Sequence, residues 1–217
     1  MTETVRVCLL GDGSSDRCLL VILRRLIGDL AGRIVIESHW ADLRYVASAP
    51  HGLADRITAA VSSYPCDILF IHRDAEGQGW EDRAQEIKYA ARQQINSRYV
   101  CVIPVRMMEA WLLGDQAAIR QAADNPNGTA PLELPAPRFM EFDPNPKTTL
   151  RTALVVASNK RGRRLRRFQE TIGERVQRVA DIMTDFTSLY SLPAFARLRD
   201  DTRAALESLG LIFDPLK

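Results

Sequence analysis

Four short apolar runs that alternate with segments of helical spacing constrain this chain more than any other feature. The runs are Val5 to Leu10, Arg33 to Ser38, Asp67 to His72 and Tyr99 to Pro104. Between them, Cys18 to Leu30, Leu53 to Ser63 and Glu81 to Gln94 place apolar residues every three to four positions, the period of a helix with one buried face. Strand and helix in strict alternation predict a parallel sheet of four strands with helices on its faces, an α/β fold. At 217 residues and 46% hydrophobic composition, the chain suffices for one substantial core and a smaller appendage.

After Pro104 the texture changes. Met107 to Leu113 and Gln116 to Ala123 predict short helices, and Asn125 to Pro146, rich in proline and glycine, predicts an irregular excursion. Lys147 to Val156, Gly162 to Met183 and Pro193 to Leu209 predict helices. The expected organisation is an α/β domain over residues 1–124, followed by a loop and a helical region over 125–217 that packs on it. No basic leader followed by an apolar core opens the sequence, and no run approaches the ~20 apolar residues of a membrane span; the expectation is a cytoplasmic protein with no membrane partner. Cys8, Cys18, Cys66 and Cys101 lack CxxC spacing and are expected to be reduced, structural thiols.

In an open α/β sheet, function gathers at the carboxyl ends of the strands. The first run ends in Gly11-Asp12-Gly13-Ser14-Ser15-Asp16-Arg17, the third in His72-Arg73-Asp74-Ala75-Glu76-Gly77, and the fourth precedes Arg106 and Glu109. A glycine-rich turn after a strand suits phosphate. Two carboxylates there would repel a bare phosphate unless a divalent cation lay between them.

These segments resemble the TOPRIM superfamily of topoisomerases, primases and OLD-type nucleases. Asp12 occupies the position of the acid that ends the first strand, and His72-Arg73-Asp74 occupies the Asp-x-Asp motif of the third. With Pro104-Val105-Arg106-Met107-Met108-Glu109-Ala110-Trp111-Leu112-Leu113, Asp143-Pro144-Asn145-Pro146-Lys147 and Leu192-Pro193-Ala194-Phe195, the sequence is similar to an uncharacterised bacterial TOPRIM-like family along nearly its whole length. The resemblance implies a TOPRIM-like, Rossmannoid sheet with a helical addition at the carboxyl end. It also implies a Mg²⁺- or Mn²⁺-dependent nuclease, in a defence or mobile-element setting, and a partner chain to supply ATPase activity.

In that reading Asp12, Asp74, Glu76 and His72 hold metal, Arg73 and Arg106 stabilise charge on the phosphate, and Glu109 is a further ligand or general base. Asp12, Asp74 and Glu109 are expected to converge at one sheet edge. The pattern departs from the superfamily at Asp12, where Glu is usual, and at His72, where Asp is usual; imidazole suits Mn²⁺ better than Mg²⁺.

The bland alternatives are definite. Asp12 is a turn residue, Ser15 or Asp16 caps a helix, His72 is a structural histidine, and Arg106 with Glu109 forms an i,i+3 pair. Gly11 and Gly13, with Glu37 further on, faintly mimic a dinucleotide fingerprint, but Asp16 holds the third glycine position. A further alternative keeps the fold without catalysis, as a nucleic-acid or partner-binding subunit.

The net charge of +2 conceals an uneven distribution: Lys160, Arg161, Arg163, Arg164, Arg166 and Arg167 put six cations into eight residues. Such a run is either a solvated helix face or a contact for the phosphate backbone of DNA or RNA. With almost no aromatic residues inside it, backbone tracking is expected rather than base stacking. Homo-oligomerisation is compatible with every one of these readings.

Overall fold

The computed structural model describes residues 3–46, 50–75, 79–92, 94 and 98–212. Four parallel strands, β1 (Thr4–Leu10), β2 (Val35–Trp40), β3 (Ile68–His72) and β4 (Arg98–Val102), form one sheet in the order β2-β1-β3-β4. The first helices are α1 (Leu19–Ala31), α2 (Gly52–Ser63) and α3 (Trp80–Arg92). This is the expected α/β, Rossmann-like arrangement, and its strand order explains the apolar patterns. Every residue of central β3 is buried, as are the last four of β1, whereas edge strand β2 alternates exposed and half-buried positions. A strand covered on both faces must be apolar throughout; an edge strand need not be.

The strand limits move slightly from expectation. β2 runs on to Trp40 because Leu9 pairs with it, and β4 ends at Val102, where the ladder with His72 ends. The chain forms two compact units, and their boundary differs from the expected division at residue 124. The first comprises Met1–Arg73, Gln78–Ile103 and Arg197–Lys217; the second comprises Asp74–Gly77 and Pro104–Ala196. The second holds α4 (Glu109–Leu112), α5 (Gln116–Ala122), α6 (Pro146–Ser158), α7 (Gly162–Glu170) and α8 (Ile172–Ile182), and the chain passes back to the first unit within α9 (Pro193–Glu207). Side-chain bonds made late in the chain explain that return: Arg98 donates to the Ser208 carbonyl at 3.0 Å, and Arg197 lies over the Trp80 ring at 4.5 Å.

The helix expected over Gly162 to Met183 is broken in two at Thr171, whose φ of −102° and ψ of 15° leave the helical region. Its hydroxyl donates to the Phe168 carbonyl at 3.1 Å, a local bond that competes with the helical ladder. The proline-rich excursion contains a short 3₁₀ helix, Pro137–Phe142.

The second unit is fastened by two buried acids. Asp115 caps α5 by accepting the Ala118 N–H at 2.9 Å, and its other oxygen accepts the N–H groups of Thr184 and Asp185, each at 3.1 Å. Glu141 accepts the indole N–H of Trp111 and the backbone N–H of Ala194, each at 3.3 Å.

The cysteines are free thiols. Burial and then the charge of Asp201 push the Cys101 thiol up to about 12, and a hydrogen bond to Cys66, with burial, also raises Cys8. Since the thiolate is the reactive species, Cys8 and Cys101 should resist iodoacetamide at pH 8 in the folded protein and react once it is unfolded in guanidinium, as peptide mass mapping would show. No helix among the described residues is long and apolar enough to cross a membrane.

Candidate functional site

The strand order places a topological switch point between β1 and β3, because the chain leaves β1 for β2 on one side and returns to β3 on the other. Crevices at such points are where open α/β sheets bind ligands. Leu10 pairs with Ile71, so the Gly11 turn and His72 leave the sheet side by side.

The turn is built around Asp16. Its Oδ2 accepts the Gly13 N–H at 2.8 Å, its Oδ1 accepts the Ser15 hydroxyl at 3.0 Å, and its own N–H donates to the Gly13 carbonyl at 3.2 Å. A Cβ on Gly11 would lie 2.8 Å from the Asp16 Cβ, so this close approach requires glycine. Asp16 is only 6% exposed. The N-cap is Gly13 rather than Ser15 or Asp16; Asp16, at the third helical position, bonds back to the N-cap N–H and also faces His72.

His72 is 2% exposed and its Nδ1 lies 2.9 Å from the Val102 carbonyl. A carbonyl only accepts, so Nδ1 carries a proton. Nε2 lies 3.9 Å from Asp16 Oδ2, too long for a hydrogen bond. A buried imidazole nitrogen and a buried carboxylate oxygen thus face one another beside the turn that follows β1.

Asp12 stands on the outer side of the same turn, with its carboxylate 42% exposed. Its Oδ1 accepts Arg56 Nη1 at 2.9 Å and Arg73 Nη1 at 3.0 Å, and Arg56 Nη2 donates to the Gly11 carbonyl. Arg73 also meets Glu86 at 3.2 Å, and Glu86 meets Arg83 at 2.9 Å. Three guanidiniums and two carboxylates therefore form one chain beside the Asp16–His72 pair. Arg56 and Arg73 can serve an anion in the crevice by exchanging partners.

Asp12, His72 and Arg73 are accordingly brought together in the first unit. Asp74, Arg106 and Glu109 belong to the second. There Arg106 is exposed and Glu109 is 7% exposed, with no ion pair between the two. Glu76 lies outside the described residues. Arg56, Arg83 and Glu86 carry no signal in the sequence: each sits at an ordinary polar position of a helix, and Arg56 reaches Asp12 across 44 residues of sequence. Among the described residues, no group of three or more His, Cys, Asp or Glu side chains is arranged to hold a metal ion.

The basic run divides by environment. Lys160 donates to the Ala123 carbonyl at 3.2 Å, lies 3.8 Å from Asp124, and covers the Phe168 ring at 5.0 Å; it ties α6 to the end of α5. Arg161, Arg163, Arg164, Arg166 and Arg167 are all exposed, and none has an acidic partner among the described residues. Leu165 and buried Phe168 turn α7 inward, so the arginines occupy its outer side. Asp124 is held well below the usual carboxylate range by its hydrogen bond from Arg175.

Compared with protein-family models, curated proteins and solved structures, the chain matches none.

Proposed function

We propose that this protein is a divalent-metal-dependent phosphodiester hydrolase of TOPRIM type that acts on nucleic acid. The observation that supports the reading is the gathering of Asp12, Asp16, His72 and two guanidiniums at the switch point between β1 and β3. Asp16 and His72 offer an oxygen and a nitrogen 3.9 Å apart, a spacing that one ion with bonds of about 2.0–2.3 Å can bridge. The Nδ1 proton donated to the Val102 carbonyl is the outer-shell support that metal-binding histidines commonly have. Asp12 is the second acid on the same turn. A mixed nitrogen and oxygen donor set favours Mn²⁺ over Mg²⁺.

When bound, the ion would acidify a water and polarise the phosphodiester. Arg56 and Arg73 would bind the phosphate oxygens, releasing Asp12 from its ion pairs as they do so. The exposed arginines of α7, in the second unit, offer phosphate contacts of their own.

In the test, purified protein is incubated with single- and double-stranded DNA and RNA in Mn²⁺ or Mg²⁺. Cleavage should be faster in Mn²⁺, and His72→Asp should move the preference toward Mg²⁺ by restoring an oxygen ligand. Asp12→Asn should lower the rate by about 100-fold or more, and Asp74→Asn and Glu109→Gln test the roles that the family resemblance implies for those residues.

A second reading is a nucleic-acid-binding subunit without cleavage. It is favoured by the two guanidiniums that already neutralise Asp12 and by the absence of a three-ligand group among the described residues. Binding with no cleavage in either metal would establish it in place of the first.

A further inference from the structure

The second unit carries two cavities at opposite ends of α6. The cavity at its carboxyl end encloses about 640 Å³ and is lined by Asn159, Arg161, Arg163 and Arg164, with Asp124 and Asn125 behind them. The one at its amino end encloses about 550 Å³ and is lined by Phe139, Phe142, Pro144 and Thr149, with Glu133 and Asp143 at its sides. Their α6 lining residues, Thr149 and Ser158, lie about 14 Å apart along the helix. Between them the helix exposes Thr148, Thr152 and Val156 beside the cations Lys147 and Arg151.

Phe139 is 49% exposed and Phe142 70% exposed, an unusual investment of aromatic surface in water. Arg138 lies flat against Phe139, its guanidinium 4.7 Å from the ring centroid, adding a second planar group to the patch. The acceptor oxygens of Glu133 and Asp143 suit the amino groups of bases, and the exposed cations Arg138, Lys147 and Arg151 at this end can meet the adjoining phosphates. The other end carries exposed arginines that have no acidic partner among the described residues.

We propose that this face of the second unit is a track for single-stranded nucleic acid, with bases stacked on Phe139 and Phe142 and phosphates held by Arg161, Arg163 and Arg164. A span of about 14 Å along α6, with the aromatic rings and the arginines beyond its ends, fits about four nucleotides, the size of the smallest single-strand sites. The reading rests on the proposed nucleic-acid activity and deepens it by naming its strand state. A duplex is excluded from the aromatic end because its bases are stacked on one another and cannot meet the rings. The stacking residues lie outside the basic run in sequence, which is why that run alone points to backbone tracking.

The test measures binding of the full chain to a fluorescent 12-nucleotide single strand and to a duplex of the same sequence, without metal, so that it does not depend on cleavage. Phe139→Ala or Phe142→Ala should weaken single-strand binding about tenfold, and the double variant about 100-fold, with the salt dependence unchanged. Phe142→Trp should restore affinity, and its fluorescence should be quenched on binding. Arg163→Gln with Arg164→Gln should make the slope of log affinity against log salt shallower by about 1.4. Duplex binding should be weaker than single-strand binding and insensitive to the phenylalanine changes.

Wild-type affinity in the double phenylalanine variant would overturn the track, as would equal losses on duplex and single strand, or no binding to either. Sedimentation of the free protein supplies the remaining arm. Self-association that the phenylalanine changes abolish would assign the aromatic patch to a second copy of the chain and would also overturn it. Cleavage with an unaffected double variant would leave the hydrolase reading standing and this one refuted; stacking without cleavage would do the reverse.

Discussion

Replacing Trp111 with alanine should destabilise the second unit by about 3–5 kcal/mol. Trp111 is fully buried in α4, and its ring meets Phe195 edge-on with centroids 5.5 Å apart. The substitution removes that packing and leaves a cavity that surrounding helices can only partly close. It also takes away the indole N–H that Glu141 accepts, leaving a buried carboxylate with one fewer donor. Trp111→Phe should cost less, since it keeps most of the ring and loses chiefly the hydrogen bond. Urea denaturation followed by circular dichroism measures both, and a loss below about 1 kcal/mol for Trp111→Ala would contradict the packing described.

Asp16→Asn should separate the structural from the chemical role of the turn. Asparagine keeps a side-chain oxygen for the Gly13 N–H, so stability should fall by less than about 1 kcal/mol, whereas Asp16→Ala forfeits the cap and should cost about 1–2 kcal/mol. If Asp16 and His72 hold the metal, either change should reduce cleavage by about 100-fold or more, because the negative charge facing Nε2 is gone in both. Cleavage by Asp16→Asn at the wild-type rate would confine Asp16 to capping. Thermal melts beside rate measurements distinguish the outcomes, since a purely structural role predicts that activity follows stability.

Both predictions turn on residues whose sequence signals differ in kind. Trp111, within an apolar stretch, is legible as core. Asp16 is legible as a cap, as an obstacle to dinucleotide binding and as one of two acids calling for a cation, but not as the partner of His72, because local sequence shows which backbone N–H a carboxylate can reach and not what stands on the neighbouring strand. His72 reaches it through the pairing of β1 with β3, set by register over more than 60 residues of sequence.

The order of strands and helices was determined by sequence alone, because the period of apolar residues reports how many faces an element buries, and burial dominates the energetics of both strand and helix. Tertiary structure decided the rest through polar contacts, which have no period. It placed Arg56, Arg73 and Asp12 in one ion-paired chain, took Lys160 out of the exposed basic run to fasten α6 to α5, and broke the expected long helix at Thr171. It also returned the end of the chain to the first unit and brought exposed Phe139 and Phe142 to the opposite end of α6 from the arginines. Apart from the local bond at Thr171, each of these depends on a few directed bonds or surface placements between distant residues, and a charged or aromatic side chain looks the same in sequence whether it meets solvent, an ion or a ring.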